Sequence, residues 1–159
     1  MNMRIGQGID FHKLEKGLTL WLGGIAIPSE KGCVAHSDGD VLIHAICDAL
    51  LGAAGLRDIG FYFPDTSNEF KNIDSKILLK KTYELIKEKG FDIGNIDCTI
   101  CLEKPKISPF IFDMVKSIAS VLSTEPENIA IKATTTEKFG FIGREEGVAA
   151  FATALIVKR

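Results

Sequence analysis

The sequence predicts an α/β fold, a single mixed sheet packed by helices on one side, in one domain spanning residues 1–159. Segments whose apolar residues alternate with period two are interspersed with segments whose apolar residues recur at helical spacing. That succession builds a sheet with helices against it. No repeat, low-complexity tract or linker divides the chain. Its 46% hydrophobic and 25% charged residues are those of an ordinary globular domain able to bury a core.

Residues 3–12 read as a strand. Met3, Ile5, Gln7, Ile9 and Phe11 share one face, and Arg4, Gly6, Gly8, Asp10 and His12 the other. Glycines weaken a strand and mark a close backbone approach. Leu18–Leu22 and Ile25–Pro28 read as a strand pair turned at Gly23-Gly24, followed by a loop. A helix is expected from about 38 to 54, capped by Ser37 or Asp38 and stopped near Gly55. Its Leu42, Ile46, Ala49, Leu50 and Ala53 are apolar, while Asp40, His44 and Asp48 stack as a polar stripe. Residues 56–73, dense in turn formers, read as an irregular surface loop. Asp74 caps a helix running through Leu78, Thr82, Leu85 and Ile86 to Gly90. Residues 95–103 alternate as a strand, with Ile96, Cys98, Ile100 and Leu102 on one face. Ser108-Pro109 opens a helix whose apolar face is Ile111, Met114, Val115, Ile118 and Leu122. Residues 129–134 form a strand, and Thr134–Gly143 a loop. Val148–Val157 is apolar on both faces, as in a strand buried on both sides, and a subunit interface is the expected reason.

Composition narrows the function. The net charge of −2 argues against a general nucleic-acid binder. No apolar run is long enough to span a bilayer. The opening residues lack a basic-then-apolar export pattern, so a cytoplasmic location is expected. Cys33, Cys47, Cys98 and Cys101 are expected to be reduced thiols. Cys98-Thr-Ile-Cys101 has the C-x-x-C spacing, but residues three apart on a strand face opposite ways, and no second pair completes a zinc site.

The chain has three histidines, His12, His36 and His44. Asp10, His12 and His44 offer one carboxylate and two imidazoles, which would leave a fourth zinc position open. The same donor types serve non-haem iron, and the histidines could equally be separate hydrogen-bonded residues. Asp38-Gly-Asp40 lacks the later oxygens of an EF-hand. In Thr134-Thr-Thr-Glu137-Lys138, hydroxyls and backbone N–H groups suit phosphate oxygens, and Glu137 suits Mg²⁺ shared with a phosphate. A plain polar loop has the same composition. Gly6-x-Gly8 is not a dinucleotide fingerprint.

Taken together, Gly8-Ile-Asp-x-His12, Ala35-His-Ser-Asp-Gly-Asp-Val41, Asp48–Ala53, Asp58-Ile-Gly60, Phe63-Pro-Asp-Thr66, Lys132–Lys138 and Gly143-Arg144 closely resemble the family of 2-C-methyl-D-erythritol 2,4-cyclodiphosphate synthases, nearly end to end. The resemblance implies a homotrimer with sheets around the three-fold axis and active sites between neighbouring subunits. It implies Zn²⁺ or another divalent cation at Asp10, His12 and His44, and Mg²⁺ or Mn²⁺ held with the substrate diphosphate by Glu137. His36 and Thr135 match residues that stabilise the transition state. Asp10, His12, His36, Ser37, Asp58, Ile59, Gly60, Phe63, Pro64, Asp65, Thr66 and Ser67 match the part holding the methylerythritol phosphate. Leu102, Glu103, Lys104, Pro105, Lys106, Ile107 and Ser108, with Thr134, Thr135, Thr136 and Glu137, match the cytidine pocket and its diphosphate. The implied enzyme is a phosphorus–oxygen lyase of the non-mevalonate isoprenoid (MEP) pathway. The 2-phosphate of 4-diphosphocytidyl-2-C-methyl-D-erythritol 2-phosphate attacks the β-phosphorus and CMP leaves.

Gln7 stands where that family commonly has His, and it points away from the Asp10 face. Glu145 stands where Gly is usual, beside Arg144 and Glu146. In the family these positions, with Phe141 and an aromatic at the Ile9 position, line a cavity on the three-fold axis, so an added carboxylate bears on anion binding there. Two other readings use the same residues: a metal-dependent phosphohydrolase, and a trimeric scaffold that binds nucleotide or metal without turnover.

Overall fold

The computed structural model of the chain describes residues 2–159, Glu69 by its backbone alone. Five strands form one mixed sheet: β1 (Met3–Lys16), β4 (Lys31–Val34), β5 (Phe91–Cys101), β6 (Ile129–Thr134) and β7 (Gly147–Lys158), in the order β4-β1-β7-β5-β6. Only β5 and β6 run parallel; the other neighbours are antiparallel. A separate hairpin pairs β2 (Leu20–Leu22) with β3 (Ile25–Ile27). One face of the sheet carries α1 (Val41–Ala54), α3 (Ser75–Glu88) and α4 (Ile111–Leu122). The short helices α2 (Ile59–Tyr62) and α5 (Gly140–Gly143) lie in loops.

The glycines of β1 set the architecture. A Cβ on Gly6 would stand 2.0 Å from the Ala49 carbonyl oxygen, and one on Gly8 1.9 Å from that of Ala45. Only bare backbone lets α1 lie this close to the strand. The core then closes between sheet and helices around Leu42, Ile46, Leu50, Leu79, Ile96, Ile100 and Met114, all fully buried. The opposite face of β1 is open: Ile5 is 72% and Phe11 55% exposed, with Met3 and Ile9 beside them. On β7, Val148, Ala150, Ala152, Ala154 and Ile156 face the core, while Phe151, Leu155 and Val157 remain partly exposed. The strand is apolar on both faces as expected, but within this one chain only one face is covered.

Several boundaries differ from the sequence reading. β1 runs on to Lys16, because its last four residues pair with β4, a short strand hidden in what reads as a loop. Helix α1 begins at Val41, and its N-cap is Asp40 rather than Ser37 or Asp38. The Asp40 carboxylate accepts from the backbone N–H groups of Ile43, Gly23 and Gly24, so this fully buried acid leaves the polar stripe to tie α1 to the hairpin turn. Residues 56–73 contain α2 and a 3₁₀ turn at Asn68–Phe70. β5 spans Phe91–Cys101 with a bulge at Gly94, so Leu102 lies just past its end. Ser108–Phe110 is a 3₁₀ turn, and the α-helix proper starts at Ile111. The loop after β6 contains α5. One to two turns carry too little hydrophobic periodicity to be read from sequence. Asp74 does cap α3, accepting from Lys76 N–H. All four cysteines are free thiols.

Candidate active site

Asp10 and His12 alternate onto the helix-facing side of β1, and His44 sits on α1 directly opposite, held there by the Gly8–Ala45 contact. One donor atom from each lies within 4.8 Å of the others. His12 Nδ1 and His44 Nδ1 are 3.0 and 3.1 Å from the same oxygen, Asp10 Oδ2, with the two rings 5.3 Å apart. His12 Nδ1 is oriented so that no regular hydrogen bond forms to Asp10, leaving a buried ring nitrogen without a partner. A tetrahedral zinc with ligands at about 2.0–2.1 Å holds neighbouring donors roughly 3.3–3.4 Å apart. The donor set fits a divalent cation, and both Asp10–histidine separations lie within a few tenths of an ångström of that spacing. Burial works against the charge of Asp10, but the His12 and His44 rings outweigh it and bring its pKa down to about 2. Burial likewise works against protonation of His44, yet its contact with Asp10 and the charges of Asp40 and Asp38 leave its pKa raised.

This cluster forms one wall of a cavity of about 410 Å³, lined by His12, His36, Ser37, His44, Ile59, Gly60, Phe63 and Asp65 among others. Asp58 caps α2 by accepting from Phe61 N–H, and Asp48 accepts from Ile59 N–H at 2.7 Å, which pins α2 to α1. His36 Nε2 is 3.1 Å from the carbonyl oxygen of Ser67, so the loop carrying Pro64, Thr66 and Ser67 is tied back to the cavity rim.

A second groove, of about 270 Å³, is lined by Leu102, Glu103, Pro105, Lys106, Ile107, Ser108, Ala133, Thr134 and Thr135. One carboxylate oxygen of Glu103 is buried there without a hydrogen-bond partner. Beyond its rim, Thr135 Oγ1 donates to Glu137 Oε1 at 3.2 Å and accepts from Glu137 N–H. Thr136 Oγ1 donates to the Phe139 carbonyl oxygen at 2.7 Å. Glu137 and Lys138 both hold positive φ, which turns the chain sharply at this point.

The structure thus sorts the predicted site residues into separate groups. The cross-strand register Asp10↔Ala150, Ala150↔Ile100, Ile100↔Ala133 puts the two cavities at one end of the sheet. They lie three strands apart, about 14 Å at the usual strand spacing. Phe141 and Arg144 join neither: Phe141 packs 6.1 Å from the Phe11 ring, and Arg144 forms a two-pronged pair with Glu146. Lys104 turns away from the groove to Glu145, 3.0 Å distant. Sequence reading missed Asp48 as the anchor of α2, and it missed Ser75 and Asp38 behind His44. Asp38 itself reads as a cap, and Ser75 sits beside the cap Asp74, so neither signals another role.

Residues 3–157 match the model of the YgbB family. The 2-C-methyl-D-erythritol 2,4-cyclodiphosphate synthase of Bacteroides fragilis is 60% identical over 156 residues, covering 98% of each chain. That of Bacteroides thetaiotaomicron is 60% identical over 158 residues, covering 99% of each. Among solved structures, the bifunctional IspDF from Campylobacter jejuni aligns with a TM-score of 0.96 at 44% identity. The match covers 99% of this chain but only 43% of that longer one. IspF of Plasmodium falciparum, in complex with CDP, aligns with a TM-score of 0.87 at 38% identity, covering 99% of this chain and 97% of that one.

Proposed function

The chain belongs to the YgbB family of 2-C-methyl-D-erythritol 2,4-cyclodiphosphate synthases, and on that premise we propose how its two cavities divide one reaction of the non-mevalonate isoprenoid pathway. The substrate is 4-diphosphocytidyl-2-C-methyl-D-erythritol 2-phosphate. An oxygen of the 2-phosphate bonds to the β-phosphorus, the bond from that phosphorus to the bridging oxygen breaks, and the oxygen departs with CMP. The nucleophile is already an anion, so the chain has to position two phosphates and offset their repulsion rather than supply a nucleophile. The observation that carries this reading is the convergence of Asp10, His12 and His44 on one point in the wall of a cavity built from the matched loop.

Each cavity has its share. His36, Ser37 and the segments Asp58–Gly60 and Phe63–Ser67 hold the methylerythritol phosphate beside the three donors. The groove from Leu102 to Ser108 takes the cytosine. Thr134, Thr135 and Thr136 present hydroxyls to the diphosphate, and His36 and Thr135 steady the charge that develops as the bond changes. A divalent cation such as zinc at Asp10, His12 and His44, and Mg²⁺ or Mn²⁺ at Glu137, supply positive charge against the phosphate oxygens when bound. The open apolar face of β1 and β7 supports a homotrimer closed over that face, placing one subunit's groove beside a neighbour's donor cluster.

Supplying the substrate with Mg²⁺ and following products by ³¹P NMR tests the reading. The expected result is equal amounts of CMP and cyclic diphosphate, with no ¹⁸O taken from labelled water. Linear phosphates carrying ¹⁸O would show a phosphohydrolase, and no turnover a binding scaffold. Sedimentation equilibrium should give three times the 17.4 kDa chain mass; a monomer with normal turnover would overturn the shared site.

A further inference from the structure

Behind His44, on the side away from Asp10, lies a half-buried hydrogen-bond chain that no part of the reaction above uses. His44 Nε2 is 3.0 Å from Ser75 Oγ. Ser75 Oγ in turn donates to Asp38 Oδ1 at 2.5 Å, and Ser75 N–H donates to Asp38 Oδ2 at 2.9 Å. Asp40 N–H adds a third donor to the Asp38 carboxylate. Ser75 is fully buried at the first position of α3, Asp38 belongs to the loop before α1, and His44 belongs to α1. Three separate elements meet at one hydroxyl.

We propose that Asp38 and Ser75 are positioning residues that fix the tautomer of cation-bound His44, with its proton on Nε2 and its Nδ1 lone pair toward the cation at Asp10 and His12. The inference rests on the cation site proposed above. The argument is one of proton accounting. A neutral imidazole has one N–H and one lone pair, and the nitrogen that binds a cation must be the one without the proton. A serine hydroxyl has one proton and two lone pairs, so by itself it serves either nitrogen state. Asp38 removes that freedom. A carboxylate accepts only, so it takes the Ser75 proton and leaves lone pairs as all that Ser75 can offer Nε2. Ser75 thus holds a proton on Nε2. In the chain without a cation, His44 Nδ1 is hydrogen-bonded to Asp10 Oδ2 at 3.1 Å; a cation takes the place of the proton in that bond, while the one on Nε2 stays. Without the carboxylate, the hydroxyl is free to turn and donate to Nε2, which favours the tautomer that cannot bind a cation through Nδ1. Ser37 Oγ, 3.2 Å from the same nitrogen, is a weaker acceptor: it already accepts from Gly39 N–H, and no carboxylate is hydrogen-bonded to its hydroxyl. Carboxylates and hydroxyls behind a ligating histidine typically govern metal affinity at this level.

The test is a zinc dissociation constant measured by chelator competition on metal-stripped protein. Ser75→Ala should weaken zinc by about 10–100-fold, and Asp38→Asn should weaken it in the same direction. Asp74→Ala removes the cap of the same helix without touching the chain of hydrogen bonds; it should lower the melting temperature and leave zinc affinity unchanged. In zinc-loaded wild type, ¹⁵N NMR should place the His44 proton on Nε2, a readout that needs no variant to fold. Undiminished zinc affinity in Ser75→Ala, an equal loss in Asp74→Ala, or a His44 proton on Nδ1 would each overturn the proposal. Wild type that binds no zinc would instead remove the cation site on which it rests.

Discussion

Replacing Gly8 by Ala adds a single methyl group at the point where strand and helix meet. The new Cβ would stand 1.9 Å from the Ala45 carbonyl oxygen and 2.7 Å from the Ala49 nitrogen. Both are helix backbone, so no side chain can swing aside. To restore the 3.0 Å that real contacts keep, α1 must back away by about 1.1 Å, a small-to-large strain that typically costs about 1–3 kcal/mol. In a chain of this size that lowers the melting temperature by about 2–12 °C. The retreat also acts on chemistry, because Ala45 adjoins His44. The His44–Asp10 separation of 3.1 Å would open to about 4 Å, beyond the ~0.5 Å tolerance of a working site. Zinc affinity should therefore fall by roughly 10–100-fold, the range for a disturbed metal ligand. Differential scanning fluorimetry and chelator competition read the two effects. Gly6→Ala meets Ala49 at 2.0 Å, farther along α1 from His44, and should lose comparable stability but less affinity. Gly52→Ala, on the same helix but with only Gln7 O at 4.0 Å, should gain about 0.4–1 kcal/mol. Wild-type melting and zinc affinity in Gly8→Ala would refute the view that backbone contact sets the ligand geometry.

Three further outcomes follow from the site and its surroundings. Glu137→Gln should keep zinc content intact and lower turnover at least tenfold, about 1.4 kcal/mol, with partial rescue by raised Mg²⁺; loss of zinc would move Glu137 into the first site. As pH is lowered, zinc affinity should begin to fall while the pH is still above the ordinary imidazole value of about 6.5. The raised pKa of His44 means that protons compete with the metal from a higher pH, while Asp10, at about 2, does not compete; an affinity flat down to pH 6 would contradict this. Burial pushes the Cys33, Cys47 and Cys98 thiols up to about 12, so native protein at pH 8 should expose only the partly buried Cys101 to a thiol reagent. All four should react in guanidinium, and rapid native reaction of Cys98 would show that the sheet opens.

How much was legible depended on whether the signal was periodic. The alternation of β1 placed Asp10 and His12 on one face, and Gly6 and Gly8 announced a close neighbour; both readings hold. The strand-and-helix succession gave the layered sheet, though β4 was too short to register. Asp40 was misread because a cap and a stripe residue look alike at one position of a helix; only the hairpin turn at Gly23-Gly24, distant in sequence, decides between them. Thr135 and Glu137 suggest phosphate and Mg²⁺ by their chemistry, but a plain polar loop has the same composition, so resemblance decides there, as it does for the cytidine pocket at Leu102–Ser108. Ser75 and Asp38 were invisible as a pair, since nothing in the chain indicates that residues 37 apart share a proton.

The open face of β1 has a consequence for error control. Its odd-numbered residues, among them Ile5, Ile9 and Phe11, look outward, and its even-numbered ones, Asp10 and His12, look toward α1. A slip of one residue against β7 would exchange the two sets completely. The carboxylate and imidazole would turn to the bare side, and Phe11 would strike a helix that tolerates not even a methyl group. A misregistered chain therefore loses its metal donors and its apolar outer surface in the same event. No partly correct pairing can retain one without the other, so a single count along one strand acts as a checksum for both.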